Sequence, residues 1–279
     1  MIYLIDVVSY NGEPVLEARL EYLSERVDEL VIVESKCTHS GTPKPCYFGE
    51  KFSDILQKFP NITYLQIDSF PPLIPDVWMK KHAADAYMRG GLGAWFRENY
   101  QRDFALPYIQ KKYAGKQYIV MCSDVDEIPS LDVVNTLKAN YASLSTPIYF
   151  HQRFYMYNLN WETDEFWSKA FVINDTGLTP EHSLSDIRTA PPKRVFPSAG
   201  WHLSFCLAKH DLIRKIQSFA HTEFNKDKFT SEAHVEKCLA NGSDIFSRQH
   251  VRITRTATTD DLPEPIKKFH EKIMFAQRY

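Results

Sequence analysis

Apolar residues arrive in this chain in short runs that alternate with amphipathic stretches. Residues 2–8 are an almost unbroken apolar run, the mark of a strand buried on both faces. Asn11-Gly12 follows as a turn or cap, and Pro14 falls where a first helical turn tolerates it. Leu16, Leu20, Leu23 and Val27 then recur at helical spacing, which predicts an amphipathic helix over 13–26. Residues 29–34 predict a second strand, 54–59 a short helix and 62–67 a third strand. The proline-rich stretch 70–75 reads as a loop, 95–112 as a helix and 118–122 as the next strand. Strands alternating with helices in this order describe an α/β protein with a parallel sheet.

After Pro129 the texture changes. Residues 147–157 and 166–173 read as strands of an antiparallel section, and Pro191, Pro192 and Pro197 break up a loop-rich region before an apolar strand at 201–206. Helices are predicted over 211–219, 231–239 and 264–275. No internal repeat or linker divides the chain, so a single continuous domain over 1–279 is expected.

Composition narrows the partners. A formal charge of −2 leaves no basic footprint for nucleic acid or an anionic membrane. The five cysteines are odd in number and lack Cys-x-x-Cys spacing, which points to reduced thiols rather than a zinc ribbon or a complete disulfide framework. The chain shows no signal-peptide pattern and no run of about 18 uncharged apolar residues, so no transmembrane segment and a cytoplasmic location are expected.

The densest chemistry lies at Asp124-Val125-Asp126-Glu127-Ile128-Pro129, where an apolar run delivers three carboxylates within four residues. Crowded acids repel one another and persist where a cation or ligand compensates them. If the strand continued through 126, Asp124 and Asp126 would share one face and could meet one ion while Val125 turned to the core. An EF-hand loop is excluded, since Ile128 stands where an oxygen ligand is needed and Pro129 where glycine is needed. Three readings stay open on the residues alone: a structural loop of acids, a phosphohydrolase with Asp124 as nucleophile and Asp260-Asp261 as its magnesium pair, and a nucleotide-sugar transferase.

Five segments together resemble glycosyltransferase family 17. They are Asn11-Gly12-Glu13 with Leu16-Glu17; Val31-Ile32-Val33-Glu34-Ser35 with Thr38 and Gly41-x-Pro43-Lys44-Pro45; Trp95-x-Arg97-Glu98 with Gln101-Arg102; the segment 124–129; and Gly200-Trp201-His202-x-Ser204. The resemblance implies a GT-A type (Rossmann-like) fold, a mixed sheet flanked by helices. Residues 1–129 would then bind a nucleotide sugar, and 130–279 would bind the acceptor and complete the metal site. It further implies a UDP-sugar donor, with N-acetylglucosamine as the candidate sugar, a glycan acceptor, Mn²⁺ or Mg²⁺ as cofactor, and inversion at the anomeric carbon. A non-catalytic glycan or nucleotide binder of the same fold is the further alternative.

On this reading Asp126 is the direct metal ligand, and Asp124 reaches the metal through water or holds the ribose. Glu127 alternates away from both and braces the turn. His202 is a half-buried histidine on its own showing, and a third metal ligand through the resemblance. Arg97 and Arg102 stand among Glu98 and Asp103. They form either surface ion pairs or a guanidinium fork for the donor diphosphate, with Arg102 preferred. Glu34 and Ser35 close the second strand, where similar folds read the base or ribose, and Asn11 is a candidate of the same kind. Glu223 is the chosen general base, against a structural role near the 231–239 helix, with Glu162, Asp164 and Glu165 in reserve.

Overall fold

The structure, a computed structural model, describes residues 1–73, 91–179 and 182–277. In chain order the first half runs β1 (Ile2–Tyr10), α1 (Val15–Leu23), β2 (Glu29–Ser35), α2 (Phe52–Lys58), β3 (Ile62–Ile67), α3 (Leu92–Asp103), α4 (Leu106–Lys112), β4 (Gln117–Asp124) and β5 (Glu127–Pro129). The second half runs α5 (Leu131–Leu137), β6 (Ile148–Phe150), β7 (Arg153–Met156), β8 (Trp161–Thr163), β9 (Phe171–Asn174), α6 (Leu184–Thr189), β10 (Val195–Phe196) and β11 (Gly200–Ser204). It ends with α7 (Lys209–Ser218), α8 (Asp227–Thr230), α9 (Glu232–Asn241), β12 (Ile253–Arg255) and α10 (Glu264–Ala276).

The strands form two sheets. A seven-stranded sheet has the order β10-β6-β9-β4-β1-β2-β3, and a five-stranded sheet the order β12-β8-β7-β11-β5. β3, β2, β1 and β4 are mutually parallel, and β9 joins β4 antiparallel. This is the mixed sheet flanked by helices that the sequence predicts. Leu4 and Val8 of β1 face one core, with α1 and α10, while Ile5 and Val7 face the other, with α4 and α6. Burial on both faces explains why the strand reads as an unbroken apolar run. A third core joins the small sheet to α7, α8 and α9 through Met156, Phe205, Leu212, Ile216, Phe229 and Val235.

Several elements differ from expectation for local reasons. The helix expected over 95–112 is two helices, because Pro107 cannot donate a backbone hydrogen bond and its ring crowds the carbonyl four residues back; it sits in the first turn of α4. The strand expected over 147–157 splits at His151–Gln152. There the chain leaves the large sheet for the small one, and Gln152 exchanges backbone hydrogen bonds with Trp167 at 2.9 Å each way. The strand expected over 201–206 stops at Ser204, since Phe205 takes a left-handed φ of 53°. Of the loop at 70–75, residues 74 and 75 lie outside the described residues.

Candidate active site

β4 ends at Asp124, residues 125 and 126 form a turn, and Glu127 opens β5. The strand therefore does not carry Asp124 and Asp126 on one face, as strand parity suggested. The turn is held from beneath by Arg19, which α1 points into the core at 0% exposure. Arg19 grips Asp6 with Nε at 2.9 Å and Nη2 at 2.6 Å. Its Nη1 donates to the carbonyl oxygens of Glu127 at 2.8 Å, Asp124 at 3.3 Å and Val125 at 3.5 Å, and Nη2 donates to Ser123 Oγ at 2.7 Å. Val125 is buried, so the two aspartates leave the turn in different directions.

Asp124 leaves toward two arginines. Arg102 Nη2 meets Oδ1 at 2.9 Å and Arg188 Nη2 meets Oδ2 at 2.6 Å. Arg188 also clasps Glu127 through Nη1 at 2.8 Å and Nη2 at 2.6 Å, and Glu127 accepts from Trp167 Nε1 and, at 2.8 Å, from the Asp124 backbone N–H. Glu127 thus braces the turn. Asp103 fixes the other side of this clamp by accepting from Ser183 Oγ at 2.7 Å and Ser185 N at 3.0 Å, which docks α6 on α3 and brings Arg188 beside Arg102. Burial pushes the Asp124 carboxyl up, but Arg188 and Arg102 outweigh it and hold the group well below the usual carboxylate range.

Asp126 leaves toward the small sheet. Its Oδ2 accepts from Lys215 Nζ of α7 at 2.8 Å, and its Oδ1 lies 3.7 Å from His202 Nε2. The pairing of β11 with β5, with His202 opposite Glu127, sets this approach, as does Leu203 N donating to the Asp126 carbonyl at 2.8 Å. Burial raises the Asp126 carboxyl, yet Lys215 and His202 bring it below its ordinary value. Burial also lowers the His202 imidazole, against the opposing pull of Asp126 and Glu127. The ring lies between Phe154 and Trp167 at centroid distances of 4.7 and 4.6 Å, and Nδ1 has no hydrogen-bond partner among the described residues.

This arrangement bears on the expected metal. The charge compensation expected from an ion is supplied in large part by Arg102, Arg188 and Lys215. No group of three or more His, Cys, Asp or Glu is arranged to hold a metal among the described residues. Both oxygens of Asp124 are taken by guanidinium groups. The pair that fits a cation is Asp126 and His202. An imidazole nitrogen 3.7 Å from a carboxylate oxygen is too far for a hydrogen bond, but both can reach one ion at metal–ligand distances of about 2.0–2.2 Å.

The other expected residues have partners of their own outside the turn. Glu34 is fully committed: Oε1 accepts from Lys44 Nζ at 3.0 Å and Tyr47 N at 2.8 Å, and Oε2 from Phe48 N at 3.0 Å and Tyr64 Oη at 3.1 Å. It orders the 44–48 loop. Ser35 Oγ accepts from Cys37 N at 3.0 Å, and Arg97 Nε donates to the His39 carbonyl at 2.7 Å, so both shape the neighbouring 36–42 loop. Asn11 Nδ2 reaches Ser218 Oγ at 3.3 Å at the end of α7. With Glu13, Lys215 and Arg214 it lines a small cleft. Trp201 is 7% exposed and packs edge-on to Tyr22 in the core. Glu223 lies in a 3-10 turn (Thr222–Phe224) just beyond α7; Oε1 meets His221 Nδ1 at 2.9 Å, and Oε2 is buried without a partner among the described residues. Among the reserves, Glu162 is clasped by Arg153 at 2.8 Å twice, and Arg153 also takes Asp261 at 2.9 Å. That engages half of the acidic pair the phosphohydrolase reading needs.

Arg19, Lys215 and Arg188 were not singled out from the sequence. Arg188 sits in a six-residue helix too short to show a period, Lys215 is one basic residue among several on α7, and Arg19 occupies an ordinary helical position whose burial only the fold reveals.

The profile of Glycosyltransferase family 17 matches residues 3–251, which includes every residue of this turn and its clamps. The chain belongs to glycosyltransferase family 17. Relatives of this chain include a human protein described as beta-1,4-mannosyl-glycoprotein 4-beta-N-acetylglucosaminyltransferase, 24% identical over 250 residues that cover 79% of this chain and 44% of the relative. The rat protein of the same description is 24% identical, covering 79% and 43%. The chain thus spans less than half the length of these curated relatives. Among solved structures, 4-diphosphocytidyl-2C-methyl-D-erythritol synthase from Anaerococcus prevotii is similar at a TM-score of 0.36 and 11% identity, covering 80% of this chain and 96% of that one. No helix among the described residues is long and apolar enough to cross a membrane.

Proposed function

We propose that this chain transfers a sugar from a nucleotide-sugar donor to a glycan hydroxyl, with a UDP-sugar as donor, N-acetylglucosamine as the sugar, and inversion at the anomeric carbon. The observation that carries the reading is the family match over 3–251, whose curated relatives are described as N-acetylglucosaminyltransferases. Asp126 and His202 are the residues suited to hold Mn²⁺ or Mg²⁺. When bound, such an ion supplies positive charge to a leaving diphosphate.

The chain's own residues do the rest. Lys215, on Asp126, and Arg102 and Arg188, on Asp124, offset the carboxylates of the turn, so that a donor diphosphate meets acids already paired with N–H donors. Asp124, its side chain 38% exposed, presents an edge suited to a ribose hydroxyl. Glu223, with Oε1 held by His221 and a buried Oε2 left without a partner among the described residues, is the group we assign as base to the acceptor hydroxyl.

Transfer from UDP-N-acetylglucosamine to a mannose-terminated glycan, with Mn²⁺ or in EDTA, tests the reading. Asp126→Asn should abolish metal-dependent turnover. Glu223→Gln should leave donor affinity unchanged and slow transfer by about 10²–10⁴-fold. Full turnover in EDTA would remove the metal from the proposal and leave Lys215 and the arginines as the source of charge. Normal turnover by Glu223→Gln would move the base to Asp164 or Glu165.

A further inference from the structure

A buried arginine normally needs one carboxylate. Arg19 has Asp6, which satisfies it in charge, yet only two of its N–H directions go there. The remaining three go to Ser123 Oγ and to the carbonyl oxygens on both sides of the turn at 125–126. Those carbonyls belong to residues whose side chains matter: Asp124, which meets the two arginines, and Glu127, which closes the brace. A planar fork cannot serve all these acceptors unless the turn holds one shape. Lysine in its place has a single point charge and no fork.

The energetics point the same way. An ion pair with both side chains at 0% exposure gains little net stability over apolar residues of the same volume, because desolvation offsets its attraction. Such a pair is retained where it specifies a geometry. Asp6 lies in the middle of β1, beside Met121 of β4, so the pair ties the turn to the two central strands of the large sheet. Arg19 reaches it from α1, which also packs on the core and on α10.

We infer that Arg19, oriented by Asp6, is a positioning residue that sets the separation and direction of Asp124 and Asp126, and so the fit of the site to the donor's diphosphate. The inference rests on the transferase reading, but the geometry it asserts can be measured without activity. A displacement of about 1 Å in a positioned group costs on the order of 10²-fold in rate, and that is the scale of effect expected.

Two substitutions separate positioning from plain stability. Arg19→Lys keeps the charge beside Asp6 and gives up the carbonyl bonds. Asp6→Asn gives up the charge pair and leaves the carbonyl bonds in place. Both lower the unfolding midpoint. Arg19→Lys should reduce kcat by about 10²-fold with a smaller change in donor KM, whereas Asp6→Asn should keep most of its kcat. Hydrogen exchange at the amides of Asp124 and Leu203, which hold the turn through Glu127 and the Asp126 carbonyl, should speed up by about tenfold in Arg19→Lys relative to the rest of the sheet and not in Asp6→Asn. If Arg19→Lys does not fold, the double variant Asp6→Leu with Arg19→Met removes the pair as a unit and should show the same loss of rate and protection. Equal losses in both single variants, tracking the unfolding midpoint, would overturn the inference. Were the native chain to transfer no sugar from any UDP-sugar tried, the transferase reading would fall while the exchange comparison still decided whether Arg19 sets the turn.

Discussion

Arg102 and Arg188 look equivalent around Asp124, but they differ in what they leave behind. Arg188 is the main charge partner of Glu127, a carboxylate at 0% exposure, so Arg188→Ala strands a buried anion and should cost about 3–5 kcal/mol. Arg102→Ala leaves Asp124 with Arg188 and, at 38% exposure, with water; about 1–2 kcal/mol is expected. Urea denaturation of the two variants checks the order, and equal costs would mean that Glu127 is solvated by other groups. The sequence offered Arg102 because it lies on a foreseeable helix among acids. Arg188 gives no such sign. Its meaning comes from Asp103, whose bonds to Ser183 and Ser185 dock one helix on another across 80 and 82 residues of chain.

At the scale of elements, the handover from β4 to β5 depends on β11 lying close against β5. Gly200 makes that approach possible. It has φ +127°, and a Cβ there would meet the Ile128 carbonyl oxygen at 2.1 Å and Pro129 Cα at 2.8 Å, all of it backbone. Gly200→Ala should therefore destabilise the protein by about 2–4 kcal/mol, and should also weaken Mn²⁺ activation, because β11 carries His202. Calorimetric unfolding together with a metal titration tests this; lost stability with unchanged metal dependence would separate the strand contact from the site. The sequence revealed β1, β2 and β4 because each is a long run buried on both faces, and β3, a half-buried edge strand, because six residues suffice to show it. β5, β8, β10 and β12 span two or three residues and carry no period, and the break between β6 and β7 is a change of sheet at His151-Gln152, inside a stretch with aromatic residues on both sides.

Over the whole molecule, burial lowers several imidazoles and gives stability a definite sign against pH. His39 and His270 are both held below their ordinary value of 6.5, chiefly by burial. The Leu159 N–H donates to His270 Nδ1 at 3.3 Å, a bond only the neutral ring can accept. With the folded value below the unfolded one, the unfolded chain binds more protons between them. The stability these groups supply is present above about pH 6.5 and is lost as pH falls through the folded values. Glu13 and Asp103, raised by burial, act in the opposite sense from the carboxylate range upward. The urea midpoint should fall between pH 7.5 and pH 5.5, and His270→Asn, which keeps an acceptor for Leu159, should flatten that fall. An unchanged slope would show that His270 does not contribute.

The turn between β4 and β5 is also the seam between the two sheets. Asp124 is clamped by helices that lie on the large sheet, and Asp126 is held by α7 and β11, which belong to the small one. The gap between the two carboxylates is therefore a caliper, with one jaw fixed to each sheet and Val125 as its pivot. A ligand that spans both jaws reports on, and resists, any rotation of one sheet against the other. A substitution far from the site that tilts either sheet would be felt first as a change in that gap.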